Sequence, residues 1–223
     1  MLKEFTLVEK KKLTYDLFEM VFETENSFSF IHGQFITFVL PWIWWRAYSI
    51  LETNWKYIKL IIKRLENGRW WSKFICDCNL WCVLKWVWPA GHFTLKETQK
   101  NKLFVWTWTW FVPLFNQINW SLELWLKANL KLLFGLRNEL DLFYEKELRY
   151  LKSNNSNFDY DYYISREKVW DYIHWRVTEF ITKENISMYE EFYLCWIPSM
   201  IDNCIELLLV LWIKKEQIFT EKY

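Results

Sequence analysis

Glycine is scarce in this chain: 4 in 223 residues, beside 4 prolines and 18 tryptophans. Globular chains carry glycine at about 7%, because tight turns and close backbone approaches need a residue without a Cβ. Charge of one sign is scarce too. The 28 Lys and Arg against 27 Asp and Glu leave a net +1, which points neither to nucleic acid nor to a charged membrane surface. No uninterrupted apolar run approaches the roughly 20 residues of a spanning helix, and Ile205 to Ile213 reads as a buried helix. The opening Met1-Leu-Lys-Glu-Phe5 has no signal-peptide shape. The five cysteines (76, 78, 82, 195, 204) are odd in number and make no disulfide scaffold, so a cytoplasmic protein is expected. Cys76-x-Cys78-x3-Cys82 lacks a fourth nearby ligand and fits no iron–sulfur run. It reads as small residues on a strand face, and no metal site is expected. The three histidines, His32, His92 and His174, read as structural or solvated.

What the chain does have is a clear change of rhythm. Residues 3–12 and 15–24 alternate apolar and polar, with Phe18, Met20 and Phe22 on one face and Leu17, Glu19 and Glu23 on the other. His32–Pro41, Arg46–Leu51, Tyr57–Leu65 and Leu80–Val87 continue the series of short strands. The pattern predicts an N-terminal antiparallel six-stranded β-barrel over residues 1–98. From Lys102 strands alternate with helices. Leu103–Val105, Leu130–Leu136, Phe158–Ile164 and Phe192–Cys195 read as buried strands, with Gln217–Thr220 closing the series. Val112–Ile118, Leu142–Leu151, Asp171–Ile181 and Pro198–Leu211 read as helices. This predicts a Rossmann-like parallel α/β domain over residues 99–223, its ligand crevice at the carboxyl ends of the strands. Thr94 to Lys102, polar and charged, reads as the link.

Between the first of these strands and its helix stands Trp106-Thr107-Trp108-Thr109-Trp110, running on to Pro113. A turn there needs backbone that tolerates positive φ and close approach to a ligand, which is glycine's role. Read with glycine at 106, 108 and 110, the stretch becomes V-G-T-G-T-G-F-V-P and resembles the phosphate turn of the nicotinamide domain in the ferredoxin–NADP reductase superfamily. We therefore read the tryptophans as glycines translated through the wrong genetic code: some bacteria read UGA as glycine, while a common alternative table reads it as tryptophan. The glycines and tryptophans together number 22, about a tenth of the chain and an ordinary share. The predicted turns point the same way, with tryptophan at 42, 44, 45, 55, 81, 86 and 88. A truly tryptophan-rich chain, with indoles for stacking or membrane interfaces, is the other reading.

Further motifs carry the resemblance over the whole chain. Gly33-Gln-Phe35 followed by Arg46-Ala47-Tyr48-Ser49 resembles the R-x-Y-S flavin motif. The resemblance implies that Arg46 meets a flavin phosphate, Tyr48 packs on the isoalloxazine and Ser49 bonds near N5, with Ile62 and Lys63 beside them. Gly68-Arg-Trp70-Trp71-Ser72, with glycine at 70 and 71, resembles the G-x-G-x-S turn that implies a second phosphate, hence FAD rather than FMN. Trp88-Pro-Ala-Gly-His-Phe93 resembles the family's G-P-x-G-x-F. Phe134-Gly-Leu-Arg137 and Ser165-Arg166-Glu167 resemble the strand ends whose arginines meet the 2′-phosphate of NADPH, so NADP is favoured over NAD. Tyr193-Leu-Cys195-Trp196-Ile-Pro-Ser-Met200 resembles Y-x-C-G-x-P-x-M, in which the cysteine approaches the nicotinamide, and Trp175-Arg-Val-Thr178 resembles G-R-V. Glu221-Lys-Tyr223 resembles the E-x-Y ending, where the aromatic ring covers the flavin and the carboxylate helps proton supply; a charged disordered tail is the alternative.

The resemblance implies a ferredoxin–NADP(+) reductase-like enzyme (EC 1.18.1-type). Hydride would pass between NAD(P)H and FAD, and single electrons to or from ferredoxin, flavodoxin or a similar small carrier. The reductase component of an oxygenase, or a free flavin reductase, is a close alternative. A non-catalytic tryptophan-rich binding protein is the distant one. A monomer without nucleic-acid partners or a membrane span is expected.

Overall fold

The computed structural model describes residues 3–27, 29–40, 43–68, 70–107, 111–196 and 198–222, in two compact units. One comprises residues 1–95 with Phe115–Gln117, the other residues 96–114 and 118–223.

The first unit is an antiparallel sheet. Its strands are β1 (Lys3–Lys12), β2 (Leu17–Thr24), β3 (Phe35–Leu40), β4 (Ile43–Ser49), β5 (Glu52–Asn54), β6 (Tyr57–Lys63) and β7 (Val83–Ala90), with one helix, α1 (Trp71–Asp77). The order is β4-β3-β7-β1-β2-β6-β5, one strand more than the six expected; the addition is the three-residue β5, too short to show a period of two. Alternation does what it must: Phe5, Leu7, Met20, Phe22, Ile36, Phe38, Ile58, Leu60 and Ile62 are all buried on one face and form the core. The exception is Leu17, assigned to the outer face but buried where β2 begins.

The strand reading of the cysteine cluster fails. Cys76 lies inside α1 and Cys78 caps its end. Lys10 Nζ donates to the carbonyls of Cys76 (3.1 Å) and Cys78 (2.8 Å), satisfying acceptors that a helix end leaves open.

The second unit is a parallel sheet of β8 (Lys102–Thr107), β9 (Leu130–Leu136), β10 (Phe158–Ile164), β11 (Glu191–Trp196) and β12 (Ile218–Lys222), in the order β10-β9-β8-β11-β12. Its helices are α2 (Phe111–Glu123), α3 (Glu145–Asn154), α4 (Lys183–Ile186) and α5 (Pro198–Val210). Every residue of β9 is buried, as a central parallel strand covered on both faces requires. The chain order reverses between β8 and β11, the place where such sheets open a crevice.

The helix expected over Asp171–Ile181 does not form. Ile173 instead pairs with Tyr163, donating to the Tyr162 carbonyl (3.0 Å) and accepting from the Ile164 amide (2.8 Å); only Val177–Phe180 turns, as a 3-10 helix. The expected helix from Leu142 begins at Glu145, because Tyr144 stands before it with φ of +59°.

Five described non-glycine residues have left-handed φ: Trp55 (+53°), Trp81 (+72°), Trp125 (+54°), Tyr144 (+59°) and Trp212 (+67°). A Cβ makes that region cost roughly 1–2 kcal/mol per residue.

Candidate functional site

A cavity of about 400 Å³ opens in the second unit at the carboxyl ends of β8, β9 and β10. Its geometry follows from two strand ends held together. The Ser165 amide and hydroxyl both donate to the Leu136 carbonyl (3.1 and 3.2 Å), and the Arg166 amide donates to the Arg137 carbonyl (3.0 Å). Those bonds set Arg137 and Arg166 side by side in the wall, and Arg176 lines it as well. Three arginines, Arg137, Arg166 and Arg176, are among the described lining residues of this one space, which gives it a cationic character. Burial pushes the phenol of Tyr163, also in the lining, up to about 12, so it stays neutral.

Gly135 allows the space to exist. A Cβ built on it would lie 2.4 Å from Thr107 Cγ2 and 3.0 Å from Val177 Cγ1. Thr107 is among the lining residues, and its Oγ1 is buried with no hydrogen-bond partner among the described residues. Ser199, Met200 and Asn203, from the first two turns of α5, complete the wall. The cavity therefore fits a phosphate-bearing organic ligand.

Cys195 lies in β11, which pairs with β8. Its register places it between Trp106 of β8 and Glu221 of β12. Complete burial, with the Glu221 carboxylate adding to it, holds its thiol protonated well above the ordinary range. Glu221 lies in β12, which runs to Lys222 and pairs in parallel with β11. Met200 Sδ lies 3.3 Å from Cys204 Sγ. Trp106 is buried, its ring centroid 3.8 Å from that of Phe134 and 4.1 Å from that of Phe111. Pro113 is buried in α2. Trp108, Thr109, Trp110 and Tyr223 lie outside the described residues, as does the side chain of Trp196.

In the first unit Arg46, Ala47, Tyr48 and Ser49 are half-buried along β4. Tyr48 packs edge-on against Phe38 (5.8 Å between centroids), and desolvation pushes its phenol above the ordinary range. Ile62 is buried, and the Lys63 ammonium is held by Asp16 at 2.9 Å rather than offered to a ligand. Ser72 Oγ accepts from the Leu65 amide (3.1 Å), which ties it to the turn ahead of α1. Trp70 stacks on Phe74 at 4.7 Å. Trp71 is buried, its indole N–H has no partner among the described residues, and its ring stands 5.8 Å from the Arg46 guanidinium. The indole thus occupies space beside the guanidinium that the R-x-Y-S resemblance gives to a flavin phosphate.

The structure thus brings Thr107, Arg137, Ser165, Arg166 and Met200 to one cavity. Arg176, Thr178, Ser199 and Asn203 were not among the expected site residues. The Trp175-Arg-Val-Thr178 motif held the signal for the first two, since it puts a third arginine near a strand end already rich in them.

Residues 113–205 match the family of oxidoreductase NAD-binding domains. The chain is 32% identical over 171 residues to ferredoxin–NADP reductase B of Sorangium cellulosum, covering 73% of this chain and 70% of that protein. Its fold is similar to the Amycolatopsis cytochrome P450 reductase (TM-score 0.89, 18% identity, 99% of this chain and 70% of that one). It is likewise similar to a ferredoxin NADP+ reductase from Neisseria gonorrhoeae with bound FAD and NADP (TM-score 0.85, 17% identity, 99% and 98% covered).

Proposed function

The chain belongs to the ferredoxin–NADP reductase family of flavin-dependent oxidoreductases, and we propose that the cavity of its second unit takes the phosphate-bearing half of NADP(H). The observation that carries this is the convergence of Arg137, Arg166 and Arg176 on one cleft at the carboxyl ends of the strands. Guanidinium forks match phosphate oxygens in pairs, so a 2′-phosphate gains there what a bare ribose hydroxyl does not. Residues 1–98 hold FAD and residues 99–223 the nicotinamide nucleotide. On this reading the chain passes reducing equivalents between NADP(H) and a separate ferredoxin, flavodoxin or similar carrier. Bound FAD supplies the exchange between two-electron and one-electron chemistry.

The protein's own part is placement. The arginines anchor the nucleotide by its phosphate, and Gly135 leaves room for the ligand. Cys195, kept neutral by burial, shapes the nicotinamide end without attacking it, and Glu221 stands beside it in the sheet. Arg46, Tyr48 and Ser49 are assigned to the flavin by their motif.

Calorimetric titration with 2′-phospho-AMP against AMP tests the cavity without requiring turnover. Preference for the 2′-phosphate is expected. Equal binding would remove the NADP assignment, and no binding of either would remove the nucleotide. In steady-state assays Arg166→Ala should raise KM for NADPH roughly tenfold, the loss of about 1.5 kcal/mol from one charged contact, and leave KM for NADH unchanged. An equal rise for both would take the 2′-phosphate away from Arg166.

A further inference from the structure

Four of the five described non-glycine residues with left-handed φ are tryptophans, and each stands where backbone geometry calls for glycine. Two are helix ends. After α2 the Trp125 amide donates to the Leu122 carbonyl (3.1 Å) and the Leu126 amide to the Ser121 carbonyl (3.3 Å). After α5 the Trp212 amide donates to Leu209 (3.0 Å) and the Ile213 amide to Leu208 (3.0 Å). Both are complete Schellman motifs, which place a left-handed residue, usually glycine, at the position each tryptophan occupies. The other two are tight turns. Trp55 opens the two-residue loop between the paired Asn54 and Tyr57, with positive φ at the first central position only, the type II′ requirement for glycine. Trp81 is the third residue of a turn closed by the Cys82 amide on the Asn79 carbonyl (3.2 Å), the glycine position of type II.

The side chains explain little of their presence: the Trp55 ring lies beneath the Lys56 ammonium, 5.8 Å from its centroid, in an exposed contact. Trp55, Trp81, Trp125 and Trp212 are 71%, 69%, 89% and 91% exposed, whereas tryptophan is on average a largely buried residue. Trp71 shows the converse fault: it is buried with an indole N–H that has no partner among the described residues. We infer that the codons at positions 55, 71, 81, 125 and 212 are decoded as glycine, so that the protein its own ribosomes make carries glycine there. This does not rest on the reductase reading, because the φ angles and hydrogen bonds stand without any ligand. It does remove that reading's one misfit, since glycine at 71 uncovers Arg46. The same decoding at 106, 108 and 110 would give the glycine-rich turn of the sequence.

Peptide mass spectrometry of the protein from its own cells tests this directly. Spectra spanning 55, 81, 125 and 212 should each lack the mass of an indolylmethyl group, and intact tryptophan at any of these positions overturns the inference. A second measurement is independent of the source. In the chain made with tryptophan throughout, Trp212→Gly should raise Tm by about 2–4 °C. Trp170→Gly should not, because Trp170 is fully exposed but is not among the residues with left-handed φ. Equal responses from both would show that exposed indole, and not backbone geometry, marks these sites, and the argument from φ would fall. Glycine in the spectra without 2′-phospho-AMP binding would keep the decoding and withdraw the nucleotide.

Discussion

At the scale of single residues, the cavity depends on an atom that is missing. Gly135 stands one residue before the end of β9, and glycine within a strand ordinarily weakens it. A methyl group in its place would meet the Thr107 and Val177 side chains, one β-branched residue on each side, neither with a flexible end that could swing away. Gly135→Ala should therefore cost about 1–3 kcal/mol of stability, the usual range for overpacking. It should also push Thr107 toward the space that the ligand needs. Urea unfolding checks the first effect and the 2′-phospho-AMP titration the second. Full stability and full binding together would mean that the strands yield, and that glycine there is incidental. Arg137 and Arg166 work the other way, by what they add, and a strand-end arginine is visible in a sequence. The need for an absent Cβ is visible only when the neighbours are known.

At the scale of elements, the stretch read as a polar, charged link holds a buried polar cluster of the second unit. Lys102 is fully buried at the start of β8. Its ammonium meets the Glu191 carboxylate at 3.2 Å and donates to Thr98 and Lys100 carbonyls at 2.9 Å each, while Thr98 Oγ1 donates to Glu191 at 2.8 Å. Tyr193 Oη donates to the same carboxylate at 3.2 Å. Desolvation pulls the Lys102 ammonium below its ordinary range, and the complete set of partners keeps the pair in place. Lys102→Met should cost about 3–5 kcal/mol, because it strands a buried carboxylate. Lys102→Met with Glu191→Leu should recover much of that loss, and chemical denaturation of both variants measures it. A single variant no less stable than the double would mean the charges never carried the cluster. Periodicity marked the strands well because burial on one or both faces writes itself into alternation or continuous apolar runs, as in β2 and β9. It could not mark a buried lysine, whose partner lies 89 residues away along the chain. It also misplaced a helix at Asp171–Ile181. There Ile173, Val177 and Ile181 fall four apart in helical fashion, but the backbone of Ile173 pairs with β10 instead. The motifs assigned five of the fourteen lining residues, Thr107, Arg137, Ser165, Arg166 and Met200; Ser199 and Asn203 of α5 reach the cavity only through the fold.

At the scale of the whole molecule, both units bury protonated thiols, and this sets how stability depends on pH. Burial raises Cys76 in the first unit and Cys204 in the second from an ordinary 9.0 to about 12, and it lifts Cys195 further still. A thiol whose pKa is higher folded than unfolded keeps its proton in the native state after the unfolded chain has lost it. The stability tied to it is thus complete below about 9 and is lost as pH rises toward about 12. Tyr163 and Tyr189, raised from 10.0 to about 12, begin the same trend a unit later. Lys102 opposes it, since its depressed ammonium favours the folded state as pH rises, but it is one group against several. The urea midpoint should accordingly stay level up to about pH 9 and fall steadily above it. A midpoint that holds through about pH 11 would mean that water reaches these thiols. The Cys76→Ala, Cys204→Ala double variant separates the contributors: the fall should still begin near pH 9, because the buried Cys195 keeps its proton in the folded state, but it should be shallower. An unchanged slope would assign the alkaline loss to groups other than the two thiols.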